Sequence, residues 1–94
     1  MLVKRMNRTF PLGRLVMTLH AKQTISIPDI NAALNRHANC DWGDACEDDW
    51  NTNNEALDHG DRLLSVYHDS GGTKFWIITE WDRSATTVLL PEDY

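Results

Sequence analysis

The chain has 94 residues, 41% of them hydrophobic and 24% charged, with a formal net charge of −5. That is the size and composition of one folded domain, which excludes a multidomain enzyme, a membrane-spanning protein and a wholly basic nucleic-acid binder. The charge is uneven: residues 1–40 hold six Lys and Arg against Asp29 alone, whereas residues 41–94 hold 13 acids against Arg62, Lys74 and Arg83.

Residues 1–8 carry Lys4, Arg5 and Arg8 and read as a flexible basic arm ahead of a single domain over 9–94. No apolar run of the about 7–15 residues that a signal peptide needs follows it, nor one of the about 20 that a membrane helix needs. An intracellular chain is expected. Residues 9–20 read as an extended segment bent by Pro11 and Gly13, with Leu15–Leu19 open to either a strand or a short helix.

Residues 26–39 predict an amphipathic helix. Ser26 is placed to cap it, Asp29 stands three residues on, and Pro28 sits in the first turn. Ile27, Ile30, Leu34 and Ala38 fall on one face, and Arg36 and His37 complement the dipole at the C-terminal end. Residues 40–61 hold eight acids and no Lys or Arg. Asp44 and Glu47 are candidate caps for a second helix, which Trp50 and Leu57 would hold by packing and Gly60 would stop.

Residues 61–91 predict three strands joined by short turns. Arg62–His68, Thr73–Trp81 and Ala85–Leu90 are rich in β-branched and aromatic residues, and Asp69–Gly72 and Asp82–Ser84 connect them. Connections this short imply an antiparallel meander. Alternation places Leu64, Val66, Trp76, Ile78, Val88 and Leu90 on one face. It places Leu63, Tyr67, Phe75, Ile77, Trp81 and Leu89 on the other. The expected fold is α+β: a three- to four-stranded antiparallel sheet with two short helices packed on one face. An uncovered second apolar face would suggest a homodimer.

Little in the sequence suggests catalysis. There is no nucleophile elbow, phosphate-binding loop or dinucleotide fingerprint. His37 or His59 with Asp41, Asp44 or Glu47 makes an acid–base pair only on paper. Cys40 and Cys46 read as free thiols; with His37 and His59 their spacing is too loose for a tetrahedral zinc site. The acids lack the order of a calcium loop. A non-enzymatic protein without cofactor or metal is expected. Direct nucleic-acid binding is disfavoured, because the aromatic strands carry more acid than base.

The acidic segment fits a different use. A negative surface docks on Lys- and Arg-rich grooves that normally hold nucleic acid, and charge complementarity speeds that encounter. Asp41, Trp42, Asp44, Glu47, Asp48, Asp49 and Trp50 are the expected contact segment, with the two indoles as anchors. The plainer reading makes each tryptophan a core residue and the acids solubilising.

The chain also resembles a family of small bacterial proteins carried on plasmids, prophages and mobile islands. Members are labelled plasmid-related protein or, loosely, a subunit of a type I restriction enzyme. The matching residues are Asp41-Trp-Gly43, Asn54-Glu-Ala-Leu57 with Gly60, and Arg62-Leu-Leu-Ser-Val-Tyr67. Gly72-Thr-Lys-Phe-Trp-Ile-Ile-Thr-Glu80, Asp82-Arg-Ser84 and Thr86-Thr-Val-Leu-Leu-Pro-Glu92 with Tyr94 follow. Phe10-Pro-Leu-Gly13 and Arg36-His37 resemble the family's opening strand and first-helix end, and the stretch from Ala45 to Asn53 departs from the pattern.

The resemblance supplies no catalytic motif; it implies a mobile-element setting. Small acidic proteins of mobile elements are often inhibitors of host defence, including anti-CRISPR and anti-restriction proteins. The leading expectation is an inhibitor in the host bacterial cytoplasm that occupies the nucleic-acid-binding surface of a Cas effector or restriction enzyme. The alternative is a plasmid or phage accessory protein that binds nucleic acid through its basic N-terminus.

Overall fold

The computed structural model describes residues 8–94. The expected meander forms from β2 (Leu63–His68), β3 (Lys74–Thr79) and β4 (Ala85–Leu89). Leu63 pairs with Thr79 and Tyr67 with Phe75 across β2–β3, and Ile77 pairs with Val88 across β3–β4. Asp69 closes the first turn by accepting the amides of Gly71 and Thr73 on its carboxylate. The basic arm proposed for residues 1–8 lies outside the described residues except for Arg8, which is tied to Asp58 at 3.0 Å.

The expected α+β class is borne out, with four strands in a mostly antiparallel sheet, and three details differ. A fourth strand, β1 (Arg14–Met17), joins the sheet beside β4 but runs parallel to it, so the order is β1-β4-β3-β2 and the sheet is mixed. There are three helices rather than two. Thr18 accepts the Ala21 amide and starts α1 (Leu19–Thr24) directly after β1, turning the chain onto one face of the sheet. Finally, Val88 and Leu90 belong with Tyr67, Phe75 and Ile77 in the main core. The antiparallel register, pairing Ile77 with Val88, sets the facing of β4 one residue away from the expected alternation.

Helices α2 (Ile27–Ala38) and α3 (Glu47–His59) fall where the sequence places them. Ser26 caps α2 by accepting the Asp29 amide at 3.4 Å. The Asp29 carboxylate does not close a capping box but accepts from Ser70. Ile30 and Ala33 face the core, while Ile27 is exposed. Gly60 ends α3 in the left-handed conformation, with φ 74°. No helix among the described residues is long and apolar enough to cross a membrane.

The helices leave the two sides of the sheet unequal. One side, with Leu63, Tyr67, Phe75, Ile77 and Val88, is buried beneath them. The other presents Leu64, Val66, Trp76, Ile78 and Leu89, met from above by the C-terminal Tyr94, whose ring lies 5.6 Å from that of Trp76.

Candidate functional site

The segment expected to make contacts, Asp41 to Trp50, is held in place by its own side chains. It begins at the end of α2, where Asp41 N–H reaches the Arg36 carbonyl and Cys40 N–H the His37 carbonyl. This pair of bonds is a Schellman stop, with Cys40 at φ 64° in the position that glycine usually fills. Arg36 then clamps the Asp41 carboxylate with two guanidinium bonds of 2.8 and 3.3 Å. The same carboxylate accepts the Gly43 amide, and the Asp41 carbonyl accepts the Tyr67 hydroxyl. Asp41 is therefore half-occupied with organising its own loop.

Trp42 is a correction. It is completely buried, in a second core cluster with Ala56 and Leu63, and its indole N–H donates to Asn54 at 3.0 Å. It cannot serve as an interface anchor in the folded state. Trp50 packs edge-on against it at 6.5 Å and donates its indole N–H to the Gly43 carbonyl. Gly43 is indispensable between them. Its φ is +71°, and a Cβ there would meet the Val66 carbonyl oxygen at 2.1 Å.

The loop also seals an edge of the sheet. Val66 N–H bonds the Trp42 carbonyl, and Asp44 N–H bonds the Val66 carbonyl. One step along β2, the Asn53 side-chain amide takes both the N–H and the C=O of Leu64, at 3.1 and 2.6 Å. The outer edge of β2 is thereby paired by a loop and a helix side chain.

The acids fare differently from the tryptophans. Asp44 lies on the surface with His68 at 2.7 Å. Glu47, Asp48 and Asp49 form the first turn of α3 and are exposed. Cys46 at the N-cap makes no side-chain cap bond, so these carboxylates are what complements the positive end of the helix. None of the three has an ion-pair partner among the described residues, and neither has Glu55 or Asp61. Of the seven expected contact residues, Asp44, Glu47, Asp48 and Asp49 thus share one exposed surface. Trp50 is half-buried at its base, Asp41 is clamped behind it and Trp42 is inside.

A second polar constellation was not foreseen. His37, expected to complement the dipole at the end of α2, is fully buried. Its Nδ1 lies 2.5 Å from Ser65 Oγ and its Nε2 lies 2.9 Å from Thr79 Oγ1. Thr79 Oγ1 meets Thr86 Oγ1 at 2.7 Å, and Thr86 Oγ1 donates to the Leu12 carbonyl at 2.7 Å. A carbonyl only accepts, so the last bond orients the chain. Thr86 gives its proton to Leu12, Thr79 gives its own to Thr86, and His37 must carry its proton on Nε2. Nδ1 is left to accept from Ser65.

Burial pushes the His37 pKa down to about 3, in keeping with this neutral form. A serine donating to an imidazole is also the geometry of an activated nucleophile. Here the serine and the histidine are both sealed from solvent, and Thr79 stands where a carboxylate would orient the base. The arrangement is a core network, not a reaction centre. The acid–base and zinc pairings written from spacing are not assembled: both His37 nitrogens are engaged, and no three His, Cys, Asp or Glu side chains converge among the described residues.

The sequence does contain a signal for this network. Ser65, Thr79 and Thr86 alternate in register with the apolar residues of the covered face. His37 stands one helical turn beyond Ala33 and two beyond Ile30 on α2. No protein-family model, curated protein or solved structure matches the chain.

Proposed function

We propose that the protein is a non-enzymatic inhibitor that docks its acidic face on a basic, nucleic-acid-binding surface of a host defence complex. The observation that carries this reading is the exposed first turn of α3. Glu47, Asp48 and Asp49 stand there with Asp44 in a stretch without a single Lys or Arg, and the three helix acids have no ion-pair partner among the described residues. Unneutralised carboxylates on a rigid helix end give a partner's Lys and Arg residues a preformed counter-surface, so little ordering entropy opposes docking. The resemblance to mobile-element proteins favours restriction or Cas effector complexes as partners. The clamp on Asp41 and the two-tryptophan core beneath the loop then act as the mounting rather than the contact.

The test is competition. Purified protein is titrated into restriction and Cas effector complexes loaded with labelled nucleic acid, and release of the label is read. Displacement is expected, and Glu47→Lys, Asp48→Lys and Asp49→Lys combined should weaken it by about tenfold or more. Displacement that survives the triple reversal in a folded variant would overturn the acidic-face reading. Retention of free DNA or RNA by the protein itself, lost with residues 1–8, would instead support the accessory nucleic-acid binder.

A further inference from the structure

The two edges of the sheet are treated differently. The β2 edge is closed by Trp42, Asp44 and Asn53, as described above. The opposite edge, β1, pairs only with β4 among the described residues. Arg14 N–H bonds Ser84 and Thr18 N–H bonds Val88. In a parallel pair, alternate residues turn both backbone groups toward the neighbour. Arg14 and Val16 therefore face β4, while Leu15 and Met17 turn their N–H and C=O groups outward. Past Arg14, which opens the strand with an exposed charge, the side chains along this edge are apolar and exposed: Leu15 is 56% exposed, Val16 40% and the following Leu19 68%. Natural edge strands usually carry a charge, a proline or a bulge to prevent pairing. Within Leu15–Met17 there is none of these charged or proline guards.

We propose that β1 is the self-pairing edge of a two-fold homodimer, in which two copies of Arg14–Met17 add antiparallel and join two 4-stranded sheets into one. The sequence of the strand selects the register. With Val16 opposite Val16 of the second copy, Leu15 and Met17 become mutual hydrogen-bonded pairs. All the outward N–H and C=O groups of both residues are then satisfied. Leu15 lies beside Met17 on the covered side, Val16 meets its own copy on the open side, and Arg14 falls opposite Thr18 rather than another arginine. Shifting the centre to Leu15 would put Met17 against Gly13 and Arg14 against Val16, leaving apolar side chains poorly matched.

The pairing is thus self-complementary, as an isologous interface requires. Arg8, the first described residue, is held on α3 by Asp58, and α3 packs beside β2 at the other side of the sheet. A second copy is the occupant that the edge itself specifies.

Sedimentation equilibrium of the full chain across about 1 μM to 1 mM tests the proposal. The expected result is a reversible monomer–dimer equilibrium, weak because a four-residue edge buries less than a standard interface. Val16→Lys sets two ammonium groups at the two-fold axis and should weaken association by about tenfold or more. Val16 is exposed, so that variant keeps its fold, which circular dichroism verifies.

Oxidative cross-linking reads the register separately. In a Cys46→Ser background, thiols introduced by Val16→Cys would face each other across a non-hydrogen-bonded pair with Cβ atoms about 4.5–5.5 Å apart, near disulfide reach. Rapid covalent dimer from Val16→Cys, and not from an exposed control such as Thr52→Cys, supports the proposal. A chain that stays monomeric throughout and gives no Val16→Cys dimer would overturn it, as would a dimer indifferent to Val16→Lys. Neither result depends on whether the acidic face binds a partner.

Discussion

The helix-covered face of the sheet carries Ser65, Thr79 and Thr86 among its inward residues, whereas the open face carries Leu64, Trp76, Ile78 and Leu89. Simple patterning would reverse these assignments, with hydroxyls toward water and leucines beneath the helices. The covered face tolerates its hydroxyls because His37 descends from α2 and joins them into one directional chain ending on a backbone carbonyl. No polar side-chain atom buried among the described residues lacks a partner. The open face buries Ile78 and Leu89 almost completely without any α-helix, through neighbouring strands, the short 3-10 turn Pro91–Asp93 and the Tyr94 that Arg62 holds at 2.9 Å. A polar core must be paired in full, since each buried group left unpaired costs about 1–3 kcal/mol. An apolar open face needs only area. The two faces should therefore respond to mutation in opposite ways.

The largest effect is expected at His37. Replacing His37 with Leu leaves the Ser65 hydroxyl without its acceptor and takes the donor from Thr79, both sealed from water. The loss should be about 2–4 kcal/mol in urea unfolding. Adding Ser65→Ala and Thr79→Val removes the stranded groups and should recover about half of that loss or more. This happens because exchanging a whole network for apolar groups is far cheaper than breaking it. A triple variant no more stable than His37→Leu alone would mean that the imidazole acts by packing against Phe10 and Trp42, whose rings lie 5.2 and 5.6 Å away.

Acid should attack the same face next. His37 titrates at about 3 in the folded protein against 6.5 for the free side chain. Between those values the unfolded chain binds a proton that the folded chain refuses. The stabilisation is complete above pH 6.5 and declines as the pH falls, by about 1.4 kcal/mol per unit. At pH 4.5 the loss should be about 2–3 kcal/mol. Asp29, Asp82 and Asp93 do not share this range, because hydrogen bonds led by those from Ser70, Ser84 and Thr18 respectively hold their carboxyls below the usual value. Denaturant melts between pH 7 and 4.5 measure the slope, and the triple variant should flatten it. An unchanged slope in that variant would place the titrating group elsewhere.

What the sequence disclosed divides along similar lines. The meander, α2 and α3 were legible because β-branched runs, glycine turns and a serine cap act locally on the chain. The parallel direction of β1 was not, since it depends on which edge of the finished sheet remains available. The facing of β4 was missed because Val88, Leu89 and Leu90 are all apolar, and alternation has nothing to discriminate in such a run. Within the candidate site, composition located a run of acids of which four are exposed, and it left Trp42 open between contact and core, where the structure buries it. A tryptophan among aspartates can face either way in one dimension; here the acids crown the helix and the indole turns inward beneath them. His37 reads in sequence as a dipole-complementing residue at a helix end, because the three hydroxyls that hold it lie 28 to 49 positions away and only the strands bring them around it.

The smallest effect is expected on the open face, where it discriminates best. Leu64 is half-buried and lines a groove of ≈ 190 Å³ with Arg62, Trp76, Ile78 and Tyr94. Leu64→Thr keeps a strand-forming residue and puts its hydroxyl where water reaches it, so no polar group is stranded. Its backbone bonds to Asn53 are unaffected, because they use only the N–H and C=O. The cost should be about 0.5–1 kcal/mol, from the apolar area lost, with the acid slope of His37 unchanged. A loss approaching that of His37→Leu would show that the groove is as tightly integrated as the covered core, and the contrast between the faces would fail. A small loss would instead mark this face as free to change in sequence while the hydroxyl chain behind it is not.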